Sequence, residues 1–540
     1  MIPIQMAMGM MTFKKYDLGL RNDLKSVFLF FCFNAIFFCH HAYAFVWQFR
    51  PNLSMGEIFD DNLNLSQINR LGGFSSEVTP GFILKGQSPM SNLNMNYRMQ
   101  GLYNAQNSDA INIYHQLDMT SRFQPIQNTF FVDTDASISQ QNASNSLLAT
   151  DNVAGNGGMA ETKSFSVTPY LTPHIGQYAT GMLKVGYTGG YVTEPAIYQN
   201  STLISSPLSN SQTILKQGSL TSGSYFGVLS WNLNYTSQDQ RNSSNSDVLF
   251  ETYAASTRYY LRRQFNVFAQ IGYENNHYLT QQPGTTNANS NLKDGFDYTV
   301  GGQWRPSMWY SLEVGLGNNS HATMQYNPSN NLTSHLTYNY ATVGLNLGSS
   351  WNAGLNYSRG MSTWIFSYQQ DTTTVQQLLL QQTTVFVTNP VTGAQTTPYN
   401  ISLPTLVNDV LIVKHAELNF SYRTGKSNYN VRVYNERRTD QVTQELDTID
   451  GISGGWNWQM QPRLTFFLQP SLQSEQSTLS TSNNNLYEVA LGVTRGIPVY
   501  WGRPLLLNST LQAQHTQQLS GTVGNDYVEN RITANFFVQF

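Results

Sequence analysis

The chain has 540 residues, of which 11% are charged and 13% aromatic, with a formal charge of −3 and a mean hydropathy of −0.34. Ordinary globular proteins carry roughly 25% charged residues, so the polarity here comes from Asn, Gln, Ser and Thr. The acidic balance gives no case for nucleic acid, which calls for a basic patch, and the aromatic content argues against disorder.

Lys14, Lys15, Arg21 and Lys25 lead into the Phe-rich apolar run from Val27 to Cys39, followed by Ala42-Tyr43-Ala44. This pattern predicts a secretory signal peptide over 1–44, cleaved after the small residues Ala42 and Ala44, with Phe45 the first mature residue. The apolar run is shorter than the roughly 20 residues a membrane helix needs. Either Met10 or Met11 is an alternative start. Both cysteines, Cys32 and Cys39, lie in this segment, and Cys39 follows Phe38 rather than the small residue a lipid anchor requires. The mature chain is then cysteine-free, without disulfides or thiolate metal sites, which suits a bacterial envelope. Losing four basic residues together with Asp17 and Asp23 takes the formal charge from −3 to −5.

The mature part, 45–540, reads as strands of period two. Trp47 to Ile58 is the first, Asp60-Asp61-Asn62 opens a polar loop, and Ser75 to Leu84 returns. Leu93, Met95, Tyr97, Met99 and Tyr103 then alternate with Asn94, Asn96, Arg98 and Gln100. Ile111, Ile113, His115, Leu117 and Met119 oppose Gln116, Asp118, Thr120 and Arg122. Phe130, Val132 and Ile138 oppose Asp133, Asp135 and Ser137. Ala179 to Tyr191 sets Leu183, Val185 and Tyr187 against Lys184 and Thr188. Similar stretches follow at Tyr225 to Tyr235, around Val267 and Tyr310, and at six places from Ala416 to Ala513.

Short connections, near Arg262, Arg305-Pro306, Gly360, Gly425 and Pro462, alternate with long polar ones: Gln140 to Thr162, Thr193 to Ser211, Glu274 to Asp294, and Asp371 to Asn408. Short periplasmic turns and long extracellular loops are the plan of an outer-membrane barrel. The predicted fold is therefore all-β: one transmembrane antiparallel barrel of roughly 18–26 strands, about 24 by hairpin count. The zone from Asn318 to Trp351 fits the count least well. Porins of roughly 16 to 18 strands already leave an aqueous channel, so a wider barrel conducts or is obstructed by a folded-in loop. Asp371 to Asn408, with its Leu378-Leu379-Leu380 and Val385-Phe386-Val387 runs, is the candidate obstruction.

The last stretch closes the pattern. Val528, Ile532, Ala534, Phe536, Val538 and Phe540 share one parity, and Glu529, Arg531, Thr533, Asn535 and Gln539 the other. A strand ending on an aromatic residue is a feature that barrel-assembly machinery is thought to read, so Tyr527, Phe536, Val538 and Phe540 form a candidate assembly signal.

Candidate lumen-facing residues are Arg98, Asp118, Arg122, Asp133, Asp135, Lys184, Glu529 and Arg531. Hairpin geometry puts Arg98 about opposite Asp118 and Arg122 near Asp133; such pairs either stiffen the wall, at roughly 0.2–1 kcal/mol each, or line a ligand strip. Asp60-Asp61-Asn62 offers oxygen ligands to calcium, but three adjacent residues fall short of the roughly six to eight required, and a solvated turn is the plainer reading. The scattered histidines, His115, His174, His277, His321, His335, His415 and His515, single out no catalytic spacing. No cofactor or enzyme activity is expected. Amides, hydroxyls and tyrosines suit neutral polyols, although any water-filled lumen needs polar walls.

Several segments together carry a family resemblance: Pro51-Asn52-Leu53-Ser54, Glu57-Ile58-Phe59-Asp60-Asp61-Asn62-Leu63, Thr79-Pro80-Gly81-Phe82, Trp351 to Ser358 with Ser367-Tyr368 and Thr372-Thr373-Thr374, and Asp526-Tyr527-Val528-Glu529-Asn530-Arg531. The chain resembles the outer-membrane β-barrels associated with PEP-CTERM/exosortase systems, which accompany exopolysaccharide production. The resemblance implies a Gram-negative outer-membrane channel or scaffold for exopolysaccharide export, with lipid, the assembly machinery and export components as partners. A general diffusion porin and, less so, a barrel lipase or protease are the alternative expectations.

Overall fold

The structure is a computed structural model that describes residues 46–106, 111–142, 148–154, 159–193, 197–199, 202–204, 210–243, 247–278, 293–374, 410–440, 445–477, 483–502, 504–521 and 523–540. The expected signal peptide with Ala42, Ala44 and Phe45 lies outside these residues, as does most of the expected obstructing loop. Asp371 to Thr374, at the start of that stretch, simply continue a wall strand.

The alternating segments form strands β1 (Val46–Asp60), β2 (Gly73–Ser88), β3 (Ser91–Asn104), β4 (Ile111–Ile126), β5 (Phe130–Asn142), β6 (Met159–Leu171), β7 (His174–Ile175), β8 (Ala179–Thr193), β9 (Ile197–Gln199) and β10 (Thr202–Ile204). Then come β11 (Ser211–Ser222), β12 (Leu229–Asn242), β13 (Val248–Arg262), β14 (Phe265–Tyr278), β15 (Gly295–Ser307), β16 (Tyr310–Gly317), β17 (Asn319–Ser329), β18 (Leu332–Ala341) and β19 (Gly348–Arg359). The last are β20 (Ser362–Thr374), β21 (Val410–Arg423), β22 (Ser427–Asp440), β23 (Leu446–Gln461), β24 (Leu464–Ser477), β25 (Asn483–Tyr500), β26 (Pro504–Ser520) and β27 (Tyr527–Gln539). Strands β9 and β10 pair only with each other. Of the 25 strands in the main sheet, β7 is a two-residue bridge onto β8, which leaves a wall of 24 antiparallel strands. No helix among the described residues is long and apolar enough to cross a membrane; the chain crosses with strands.

The wall closes because β1 pairs with β27, from Asn52 opposite Gln539 to Asp60 opposite Arg531. Closure is required in lipid, where an unpaired backbone N–H or C=O costs several kcal/mol. The uncertain zone from Asn318 to Trp351 proves to contain one further hairpin, β17–β18, joined by the turn at 330–331. Its strands are short and rich in His, Asn and Thr, so their period-two signal is weak.

Register then fixes which side chains share a face. Phe536, Ile532, Leu491, Leu511, Val300 and Ile271 are exposed on the outer face, while amides, hydroxyls and most charges face the lumen. Aromatic residues form two outer girdles, the arrangement expected of a membrane barrel. Toward the short turns, Trp364 packs on Phe420 with ring centroids 4.3 Å apart, and Tyr429 stacks on Trp456 at 6.1 Å. Toward the long loops, Tyr235 meets Tyr253 at 4.9 Å and Tyr338 meets Trp351 at 4.6 Å. A closed 24-strand wall with an apolar outer belt belongs in a Gram-negative outer membrane.

Candidate functional site

A cluster of deeply buried charges lies where the first and last strands meet, at the long-loop rim. Arg531 donates from Nε and Nη2 to Asp60 Oδ2, at 3.2 and 3.0 Å, and also to Glu529 and Asp151. Their side chains are 4%, 0%, 2% and 12% exposed respectively. The next two residues of β1's outgoing loop continue the clasp. Asn530 donates its backbone N–H and its Nδ2 to the Asp61 carboxylate, both at 2.7 Å. Asn62 Nδ2 donates to Val528 O and Ser66 O, both at 2.9 Å. The reading of Asp60-Asp61-Asn62 as a solvated turn or calcium loop is therefore corrected. A salt-bridged β-strand end, invisible to local periodicity, absorbs all three side chains.

A segment of the β5–β6 connection, 148–154, docks on this clasp from the lumen side. Leu148 N donates to Gln518 Oε1 at 2.8 Å, and Tyr527 Oη donates to Leu148 O at 2.6 Å. Asn152 Nδ2 donates to Gln100 Oε1 at 2.8 Å, and Asp151 reaches Arg531. Ala149 and Ala154 pack with Leu65 and Tyr527, and Leu486 covers the cluster. The segment thus bridges strands β26, β27 and β3 and ties down the loop after β1. Nearby Glu488 accepts a bond from Gln514 Nε2 at 3.1 Å.

The expected lumen residues take these places. Arg122 stands opposite Asp133 and donates to both its oxygens, at 2.8 and 3.0 Å. Arg98 faces Gln116, however, and Asp118 faces Asn96. Tyr103 faces Ile111, which centres the hairpin on residue 107, whereas pairing Arg98 with Asp118 centres it on 108 and so misses the partner by two residues. Asp135 accepts a 3.4 Å bond from Ser166, and Lys184 lies between Tyr170 and Gln217. Glu529 and Arg531 enter the clasp. Of the four residues grouped as an assembly signal, Phe536 and Val538 share the outer face and Phe540 reaches Trp501, with ring centroids 6.0 Å apart. Tyr527 departs from that group: it points inward, 2% exposed, onto Leu148.

A second charged network crosses β21 and β22. His415 bonds Glu436 at 2.9 Å and Glu417 at 3.0 Å, Arg432 donates to Glu417 at 2.8 Å, and Arg438 reaches Glu436 at 2.5 Å. Both nitrogens of His415 are engaged by carboxylates, which leaves no position for activating a hydroxyl. Among the described residues no group of three or more His, Cys, Asp or Glu side chains is placed to hold a metal ion. His277's side chain lies outside the described residues.

Comparison with protein families and with curated proteins finds no match. Solved structures that resemble the chain include the FrpB iron transporter from Neisseria meningitidis, with 11% identity, 91% of this chain and 82% of that one covered, and a TM-score of 0.43. The ferric enterobactin receptor of Pseudomonas aeruginosa matches with 10% identity, 91% and 80% coverage, and a TM-score of 0.42. The siderophore receptor PirA of the same organism gives 9%, 91%, 80% and 0.39. These are likenesses of barrel architecture. The expectation of an exopolysaccharide export channel, with a porin as alternative, is corrected: the matched barrels bear the names of receptors and a transporter for iron and siderophores.

Proposed function

We propose that the chain is an outer-membrane uptake receptor: a wide barrel that binds a small polar solute on its lumen face and passes it inward when the docked segment yields. The observation that carries this reading is the seating of 148–154 on four wall side chains, Gln518, Tyr527, Gln100 and Arg531. A segment held against the lumen wall by an ionic latch and a few hydrogen bonds is what a gate that yields to solute needs. Kinship with the barrels of PEP-CTERM/exosortase systems is compatible with this reading, because residues behind that resemblance, Asp60-Asp61-Asn62 and Glu529-Asn530-Arg531, build the clasp rather than a transport path. Partners on this reading are outer-membrane lipid, the solute, and assembly machinery addressed by Phe536, Val538 and Phe540.

The test is a reversible lock. With both native cysteines in the expected signal peptide, Gln100→Cys with Asn152→Cys gives a single engineered pair. Vesicles carrying the protein are assayed for entry of a panel of sugars, peptides and ferric siderophores, the last included because of the names of the matched barrels. Oxidation is expected to slow entry of the selected solute at least tenfold, and reduction to restore it. Equal entry by locked and unlocked protein, or size-sieved entry of every solute by the parent, overturns the reading.

A further inference from the structure

On the outer face near the long-loop rim, Lys414 of β21 stands directly opposite Arg437 of β22. Like charges facing each other across strands are destabilising. Both side chains are exposed, and neither is in an ion pair among the described residues. Other outward cations near this rim are treated differently: Lys163 holds Glu161 at 2.8 Å, and Arg241 approaches Asp239 at 3.5 Å. Lys216 also faces outward without an acid, but it stands alone.

Immediately below the two cations the outer wall is dented. A depression of about 410 Å³ is lined by Phe366, Ala416, Leu418, Val433, Ile452 and Leu472. Ala416 follows Lys414 by two residues on the same face, and Asn435 precedes Arg437 by two. Asp450, at the dent's upper edge, accepts a 2.6 Å bond from Asn435 Nδ2 and keeps its charge, while Glu417, which also lines the dent, is paired with His415 and Arg432, so the two cations outnumber the one exposed acid beside them. Gln370, Thr372, Thr439 and Thr448 complete the polar surround and bring no charge.

The height is also informative. Eight residues separate Lys414 from the girdle residue Tyr422, about 26 Å along a strand at ~3.3 Å per residue. At a tilt of roughly 35–45° this is about 20 Å along the membrane normal, close to the ~25 Å apolar band. The backbone at the cations therefore sits about 5 Å short of the far edge of the hydrocarbon, within reach of the headgroups for long side chains that extend outward.

We propose that this patch binds a net-anionic phosphate lipid of the leaflet next to the long-loop rim, its phosphate between Lys414 and Arg437 and an acyl chain in the dent below. The partner's charge offsets the repulsion between the two cations, and its chain fills a surface that strand side chains leave open. This site is on the opposite face from the lumen and is independent of the uptake reading.

The full chain, purified in uncharged detergent, is equilibrated with dimyristoylphosphatidic acid or dimyristoylphosphatidylcholine, and bound lipid is counted by native mass spectrometry. The anionic lipid is expected to be retained in preference. Each cation near a membrane surface is worth about 1 kcal/mol, so Lys414→Gln and Arg437→Gln each weaken retention about fivefold and together about thirtyfold. Ala416→Phe, which fills the dent, weakens it as well, while Arg241→Gln leaves it unchanged. Folding of each variant is checked by heat-modifiable mobility in gels, and the two single variants stand if the double variant does not fold. Equal retention of both lipids, undiminished retention by the folded cation variants, or displacement by inorganic phosphate alone overturns the proposal.

Discussion

Replacing Arg531 by glutamine removes the cation that Asp60, Glu529 and Asp151 share, while keeping a shorter polar side chain. Asp60 and Glu529 are almost fully buried, so neither carboxylate turns to water without opening the seam. Breaking a buried ion pair from one side costs about 3–5 kcal/mol, because the abandoned charge stays desolvated. Removing the two most buried partners too is different: Asp60→Asn, Glu529→Gln and Arg531→Gln together leave only Asp151, 12% exposed, without its cation and recover part of that loss. Urea unfolding in lipid vesicles, followed by fluorescence of the chain's nine tryptophans, measures both quantities. A single-variant loss under about 1 kcal/mol, or a triple variant no more stable than the single one, refutes the reasoning that this arginine locks the barrel shut.

The clasp's second layer gives a smaller effect: Asp61→Ala takes the acceptor from Asn530 N and Nδ2, both open to water, and costs about 0.5–1.5 kcal/mol in the same unfolding assay. Arg122→Ala is the contrasting case. That pair is 58% and 28% exposed, so its loss costs less than about 1 kcal/mol and leaves the unfolding midpoint nearly unmoved. Gly301→Ala brings a Cβ within 2.1 Å of Val314 O and 2.7 Å of Gly315 Cα, both backbone atoms. Strands β15 and β16 are forced apart, and overpacking of this kind costs about 1–3 kcal/mol; the fraction of protein showing heat-modifiable mobility should fall. His415→Ala leaves Glu417 and Glu436 facing across the β21–β22 pair with Arg432 and Arg438 only partly compensating; a loss of about 1–3 kcal/mol is expected.

Much of the wall was legible in the chain because membrane strands must alternate. The segment from Leu93 to Tyr103 and the last strand show their two faces in plain residue types. The total of 24 strands followed from hairpin counting once turn lengths were seen to alternate. Strands β17 and β18 were obscured because their residues, such as His321, Thr323, His335 and Thr337, are polar on the lumen face and their outer partners, such as Ala322 and Tyr338, are only mildly apolar. The Arg98 pairing failed for a different reason: register depends on where the hairpin is centred, and an error of one residue in that centre moves every partner by two.

The clasp was half visible. Asp60-Asp61-Asn62 and Glu529-Asn530-Arg531 each stood out as motifs, 471 residues apart between Asp60 and Arg531. Nothing local says that they meet; closure of the barrel brings them together. Asp151 and Leu148 carried no signal at all, since a docked loop has no periodicity. One available hint was chemical: Glu529 and Arg531, the two charges of the last strand, share its lumen-facing parity. The functional expectation drawn from the same motifs did not survive, because those residues hold the wall together and do not mark a path for polysaccharide.

The central claim is that lipid lies outside this wall and water within it. Single cysteines placed in turn from Tyr527 to Phe537, in a mature chain expected to lack native cysteine, can each carry a nitroxide label in reconstituted vesicles. Collision with oxygen reports lipid and collision with a soluble nickel chelate reports water. The account predicts oxygen access at positions 532, 534 and 536 and nickel access at 533, 535 and 537, a repeat of two set by the pleat. Uniform nickel access along the strand, or a repeat near 3.6, would contradict it.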